Sequence, residues 1–207
     1  MAPTVYIVDD DEGIRKATTR LLTAAGFMVC SYPSGDRLLA ELPPNTPGCI
    51  ILDVRMPGLS GLDLQVALGD REDRLPIIFL TGHAEVPDTV RAIRGGAVDF
   101  LTKPIDPKLL LEAVDRALVQ DARDRTIREH QRHLRAQYEK LTDREQQVFE
   151  RLIGGQLNKQ VAADLQITER TIKLHRARIL QKLNLDSMAS LARFAVEIGI
   201  QPRQPAP

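Results

Sequence analysis

"CIILDVRMPG" (residues 49–58) sets three apolar residues, Ile50, Ile51 and Leu52, directly before the single carboxylate of Asp53, and Met56-Pro57-Gly58 then stops any strand. A buried strand that runs into an ionised side chain has two readings. Either the strand simply ends and its carboxylate meets water, or a reactive carboxylate is held at the strand tip. The flanking sequence separates the two.

Strand-like VYIVD (5–9), FMVCSY (27–32), CIILD (49–53), PIIFLT (76–81) and AVDFLT (97–102) alternate with helix-like segments at 13–26, 34–42, 61–70, 86–96 and 107–120. Near-continuous apolar strands separated by helices predict a parallel sheet covered on both faces. Ligands of such sheets bind beyond the carboxyl ends of the strands. The polar residues that terminate these strands are Asp9 and Asp10, Asp53, Thr81 and Lys103. Three carboxylates at one end of a sheet repel one another. A divalent cation relieves that repulsion, and hard oxygen ligands with room for waters suit Mg²⁺. Lys103 adds a cation and Thr81 a hydroxyl, so the set suits phosphoryl transfer with Asp53 attacking phosphorus.

The second half reads differently. Residues 118–140 contain no Gly or Pro and few apolar residues, which predicts a long exposed helix. Thr142-Asp143-Arg144-Glu145 fits a capping box. Asn158, Thr168 and Asp186 are the expected caps of three further helices. The turn Gln166-Ile167-Thr168 joins two of them as a helix-turn-helix. At about 100° per residue, Ile172, His175, Ile179 and Leu183 form a core stripe. Arg170, Lys173, Leu174, Ala177, Arg178 and Gln181 form an opposite basic face that suits a DNA groove.

The net charge of zero hides an asymmetry: residues 1–122 carry 12 Lys+Arg against 18 Asp+Glu, and residues 138–207 carry 11 against 8. Such a split predicts two domains with different partners. No apolar run approaches the roughly 20 residues of a membrane-spanning helix, and MAPTVYIVDD lacks the pattern of a signal peptide. Cys30 and Cys49 both read as reduced core thiols of a cytosolic protein. His130 and His133 read as a solvated helix face, because no carboxylate or thiol completes a metal site beside them.

"VDDDEG" (8–13), "LDVRMPG" (52–58), "LTGHA" (80–84) and "TKP" (102–104) resemble, in that order, the receiver domain of two-component response regulators. "LTDREQQVFERLIGG" (141–155), "NKQVAADL" (158–165) and "TERTIKLHRARILQKL" (168–183) resemble the LuxR-type DNA-binding domain. The combination is that of the NarL/FixJ subgroup, and "GHAEVP" with "GAVDF" resembles its FixJ-like members. The resemblance implies an α/β receiver with a five-stranded, doubly wound, flavodoxin-like parallel sheet at 1–120 and a helical linker at 121–140. An all-α helix-turn-helix domain at 141–201 and a disordered tail at 202–207 would follow.

The same resemblance implies that Asp53 accepts a phosphoryl group from a histidine kinase. Asp10, Asp53 and the backbone carbonyl of Arg55 would hold Mg²⁺, with Asp9 acting through water. Lys103, before a cis Pro104, would contact the phosphoryl group, and Thr81 and Phe100 would relay the switch, although Phe100 carries no hydroxyl where a tyrosine relay would need one. Lys173 and Leu174 would face the major groove, with Lys159, Arg170, Thr171, Arg176 and Arg178 on phosphates. Phosphorylation would promote a homodimer through residues 87–101, acting in the cytoplasm with double-stranded DNA and RNA polymerase as partners and no membrane. Slow hydrolysis of its own phosphoaspartate would reset the protein and would not make it a turnover enzyme. Two other readings stay open: a receiver that answers a ligand in place of phosphate, and a freestanding phosphate sink, which would not need residues 141–183.

Overall fold

The computed structural model describes residues 2–69, 71, 73–82 and 85–201. His83 and Ala84 of the LTGHA stretch, and the tail expected to be disordered, lie outside them. The chain divides into two compact units between Arg125 and Thr126.

In the first unit the elements are β1 (Thr4–Val8), α1 (Glu12–Ala24), β2 (Met28–Tyr32), α2 (Gly35–Glu41), β3 (Gly48–Leu52), α3 (Gly61–Gly69), β4 (Ile77–Thr81), α4 (Val86–Arg94), β5 (Asp99–Thr102) and α5 (Pro107–Tyr138), the last continuing past the division. The strands pair in parallel in the order β2-β1-β3-β4-β5. Alternation along each central strand feeds two cores. Tyr6, Val8, Ile50, Leu52, Ile77 and Phe79 pack with Leu38, Leu64, Leu68 and Ala92 of α2, α3 and α4. Val5, Ile7, Cys49, Ile51, Ile78 and Leu80 pack with Leu22 of α1 and Leu110, Ala113, Val114 and Ala117 of α5. Every residue of β3 and β4 is therefore buried, which is why these segments read as unbroken apolar runs.

Two expectations fail here for one reason, the sheet's edges and ends. Cys30 is exposed and only Cys49 is buried. Strand β2 pairs only with β1 at the sheet edge, so an apolar-looking strand still shows side chains to water. Asp121, expected on an exposed helix, is 2% exposed, and its Oδ2 accepts the N–H of Gly48 at 2.9 Å where β3 begins. Burial and the Asp121 charge push the Cys49 thiol up to about 12. An aromatic disulfide reagent at neutral pH is therefore expected to label Cys30 alone in the native protein and both cysteines after denaturation. Rapid native labelling of Cys49 would show that this face of the sheet opens.

The second unit contains the end of α5, then α6 (Asp143–Ile153), α7 (Asn158–Asp164), α8 (Glu169–Lys182) and α9 (Met188–Glu197). Its core joins Val148, Phe149, Leu152, Val161, Ile172, Ile179, Leu183, Leu191 and Phe194, with Leu134 and Tyr138 of α5 packed against it. The Tyr138 and Phe149 rings meet edge-on at 5.1 Å. The capping box of Thr142 and Glu145 forms as predicted. Two other caps move by one residue. Leu157, not Asn158, is the N-cap of α7, and Gln160 Oε1 accepts its N–H at 2.7 Å. Ser187, not Asp186, caps α9, while Asp186 accepts from the Ser190 hydroxyl. In both cases adjacent residues could terminate the helix, and the side chain three positions on selects between them.

Candidate functional site

The β1, β3 and β5 ends bring the predicted charges together. Asp9 is 1% exposed and Asp53 7%, while Asp10 is exposed. Carboxylate oxygens of Asp9, Asp10 and Asp53 all lie within 4.8 Å of one another. Lys103, following β5 and preceding a cis Pro104, reaches across the sheet. Its Nζ donates to Asp9 Oδ2 at 2.6 Å and to Asp53 Oδ2 at 2.8 Å. The register explains the convergence: Val8 of β1 lies beside Leu52 of β3, so Asp9 and Asp53 leave neighbouring strands at the same level, and Asp53 N–H donates to Val8 O at 2.9 Å.

Electrostatics at this end follow from burial and pairing. Burial raises the Asp9 carboxyl above its ordinary value, against the opposing pull of the Lys103 ammonium and the Asp11 N–H. Burial pulls Lys103 downward, but hydrogen bonds to Asp53 and Asp9 outweigh it, and the ammonium ends above its usual range. Three clustered carboxylates with no nitrogen or sulfur ligand among them form a hard oxygen set, which fits Mg²⁺ better than a thiophilic metal.

The loop after β3 is held on both sides. The Arg55 N–H donates to Asp53 Oδ1 at 3.3 Å, and the Arg55 guanidinium bonds Glu85 and lies 3.9 Å from Asp88 at the start of α4. Glu85 was not singled out in the sequence, since nothing local marks it. Gly61, at the start of α3, donates its N–H to Val54 O at 3.0 Å. A Cβ there would stand 2.0 Å from the Asp53 carbonyl oxygen. Thr81 ends β4 and is buried, and its carbonyl accepts the Lys103 N–H at 2.8 Å. Phe100 is not at the strand tip. It pairs with Phe79, their rings 6.0 Å apart, and packs on the core beneath α3 and α4.

In the second unit, α7 and α8 are joined by a turn in which Gln166 has φ 53°. Arg144 of α6 caps this turn from outside, donating to Leu165 O at 2.6 Å. Ile172 and Ile179 of α8 and Leu183, which caps its C-terminal end, are buried, and His175 is half-buried. Arg170, Lys173, Leu174, Ala177, Arg178 and Gln181 are exposed, as is Lys159 on α7. Thr171 and Arg176 are half-buried. The Thr171 hydroxyl pairs with the capping Thr168 hydroxyl at 2.9 Å, and Arg176 sits toward the flank of the basic face.

Residues 5–115 match the family described as response regulator receiver domain, and residues 139–195 match bacterial regulatory proteins of the luxR family. Nodulation protein W of Bradyrhizobium diazoefficiens is 41% identical over 196 residues, covering 95% of this chain and 86% of that protein. The transcriptional regulatory protein FixJ of Rhizobium meliloti is 38% identical over 208 residues, covering 96% and 98%. Among solved structures, the response regulator StyR is 43% identical with a TM-score of 0.76, covering 95% of this chain and all of that one. Full-length FixJ from B. japonicum is 35% identical with a TM-score of 0.57, covering 96% and 98%. No helix among the described residues is long and apolar enough to cross a membrane. A strand-tip carboxylate set, a basic helix-turn-helix and matches to both halves agree: the chain belongs to the response regulators that join a receiver domain to a LuxR-type DNA-binding domain and act as transcriptional regulators.

Proposed function

We propose that Asp53 is the phosphoacceptor, and that its phosphorylation by a histidine kinase drives dimerisation and binding to double-stranded DNA. The observation that carries this reading is Lys103 Nζ placed between Asp9 and Asp53, with Asp10 beside them. An Asp53 carboxylate oxygen forms the new O–P bond as the P–N bond to the kinase imidazole breaks, and the imidazole nitrogen takes up a proton. Lys103 would follow charge onto a phosphoryl oxygen, and Thr81, at the end of β4, would hydrogen-bond a second one in the phosphorylated state. Asp10, Asp53 and the Arg55 carbonyl would hold Mg²⁺, with Asp9 acting through water. The bound ion would offset charge on the phosphoryl oxygens. Phe100 then reports the state of Thr81 through packing, since it has no hydroxyl to move. Hydrolysis of the acyl phosphate resets the switch. The receiver and DNA-binding functions would divide near residue 125 rather than at 120 and 141, because the segment read as a linker (121–140) is shared: Asp121 is held by Gly48 of the first unit, and Leu134 and Tyr138 pack on the second unit's core. The protein works in the cytoplasm, where it meets the kinase, DNA and RNA polymerase.

The test is intact mass after incubation with acetyl phosphate and Mg²⁺. A gain of about 80 Da, one phosphoryl group on an aspartyl nucleophile, is expected in the wild type and absent in Asp53→Asn. Equal gain in both proteins would assign the phosphate elsewhere.

On DNA, Lys173 and Leu174 would read base edges, while Lys159, Arg170, Thr171, Arg176 and Arg178 would contact phosphates. Arg178→Ala is expected to weaken binding to all sequences alike and to lower the salt slope by about one. Lys173→Ala is expected to relax preference at one base position, at a cost of about 1–3 kcal/mol. Affinity titrations against a randomised operator at two salt concentrations separate them, and unchanged binding in both would remove α8 from the groove.

A further inference from the structure

We propose that Arg15 is a positioning residue for the divalent-cation site, acting through the Asp9–Asp10 peptide; this rests on the metal reading above. Its Nη1 donates to the backbone carbonyl of Asp9 at 2.6 Å, a short charge-assisted bond. That carbonyl belongs to the peptide plane leading into Asp10. The plane is rigid, so fixing its oxygen fixes the direction in which Asp10 leaves the backbone.

Asp9 is held on every side. Its N–H donates to Tyr32 O at 3.3 Å. Its Oδ1 accepts from the Asp11 N–H at 2.9 Å, and its Oδ2 accepts from Lys103. Asp10 is exposed, and among the described residues no hydrogen bond fixes its carboxylate. The backbone alone aims it at Asp9 and Asp53. Arg15 is itself anchored, since its N–H donates to Asp11 O at 3.0 Å in the first turn of α1, so the side chain folds back over the turn that it secures.

The role is separable from simple electrostatics because the two predict opposite signs. Arg15 is a cation near a cation site, so deleting its charge should by Coulomb's law tighten Mg²⁺ binding. Loss of a positioning partner should weaken it, by about 10-fold for an outer residue of a metal site. The experiment is calorimetric titration of full-length protein with Mg²⁺ alone, for wild type, Asp10→Asn, Arg15→Met and Arg15→Lys, with unfolding in EDTA as the control. The expected result is a Kd raised about 10-fold in Arg15→Met, a smaller rise in Arg15→Lys, which keeps a donor and a charge, and an unfolding midpoint in EDTA near the wild-type value. If Arg15→Met does not fold, Arg15→Lys decides alone. A Kd at or below the wild-type value in every folded Arg15 variant overturns the proposal. Absence of Mg²⁺ uptake by the wild type would instead overturn the metal reading, whereas wild-type uptake abolished in Asp10→Asn leaves that reading standing whatever Arg15 does.

Discussion

A Gly61→Ala protein is expected to accept phosphate from acetyl phosphate about 100-fold more slowly than wild type, the penalty for a reacting group displaced by roughly an ångström. The added Cβ would stand 2.0 Å from the Asp53 carbonyl oxygen, 3.0 Å from its carbon and 3.1 Å from Val54 Cα. All three are backbone atoms, so no side-chain rotation relieves the clash. Either α3 retreats or the Asp53–Val54 backbone moves, and the second displaces the nucleophile from Lys103. Space, not glycine's freedom of dihedral angle, is what this position requires. The mass gain followed over time measures the rate. A rate within twofold of wild type would mean that α3 yields and that Asp53 keeps its place.

Glu145→Ala is expected to destabilise the second unit by about 3 kcal/mol, the lower end for breaking a buried ion pair. Glu145 is 3% exposed. Its Oε2 accepts from Lys182 Nζ at 2.6 Å and from the Thr142 N–H at 2.8 Å, so one carboxylate closes the α6 cap and ties α6 to α8. Lys182 is 38% exposed on its side chain and can regain water, which is why the lower end applies. Burial raises the Glu145 carboxyl, but the Lys182 and Thr142 bonds overcome it and hold it below the ordinary 4.5. A depressed carboxyl contributes its full stability above its unfolded value and loses it as pH falls through the folded value. Hydrogen exchange of α6 amides should therefore show a gap between Glu145→Ala and wild type that is widest near neutrality and narrows as pH drops below 4.5. A gap that is constant with pH would attribute the loss to packing and not to the charge.

What the sequence discloses and what it hides divide by the range of the interactions. Asp9, Asp10, Asp53, Thr81 and Lys103 are legible because parallel strands must release their polar termini on one side of the sheet, and apolar runs mark where each strand stops. The α8 faces are legible because a helix repeats: Ile172, Ile179 and Leu183 turn inward while Lys173, Leu174 and Arg178 stay outside. Contacts between distant segments leave no local mark. Arg15 looks like one more surface cation until α1 folds it back over the Asp9 carbonyl. Asp121 looks like part of a solvated helix until Gly48 arrives beside it. Cys30 looks buried because an edge strand and a central strand share one composition.

The end of α5 carries a practical lesson for dissecting the chain. Leu134 and Tyr138 precede the first residue of the LuxR-like stretch, yet both pack on the second unit's core, Arg135 reaches Ile198 O at 3.4 Å and His130 meets Glu197 at 3.0 Å. A fragment cut at residue 141 would bare the edge of Phe149 and the end of α9 to water, leaving a sticky, aromatic-floored trough. Material prepared that way would report a fragility and a tendency to aggregate that belong to the scissors. A fragment begun at Thr126 would carry its own lid.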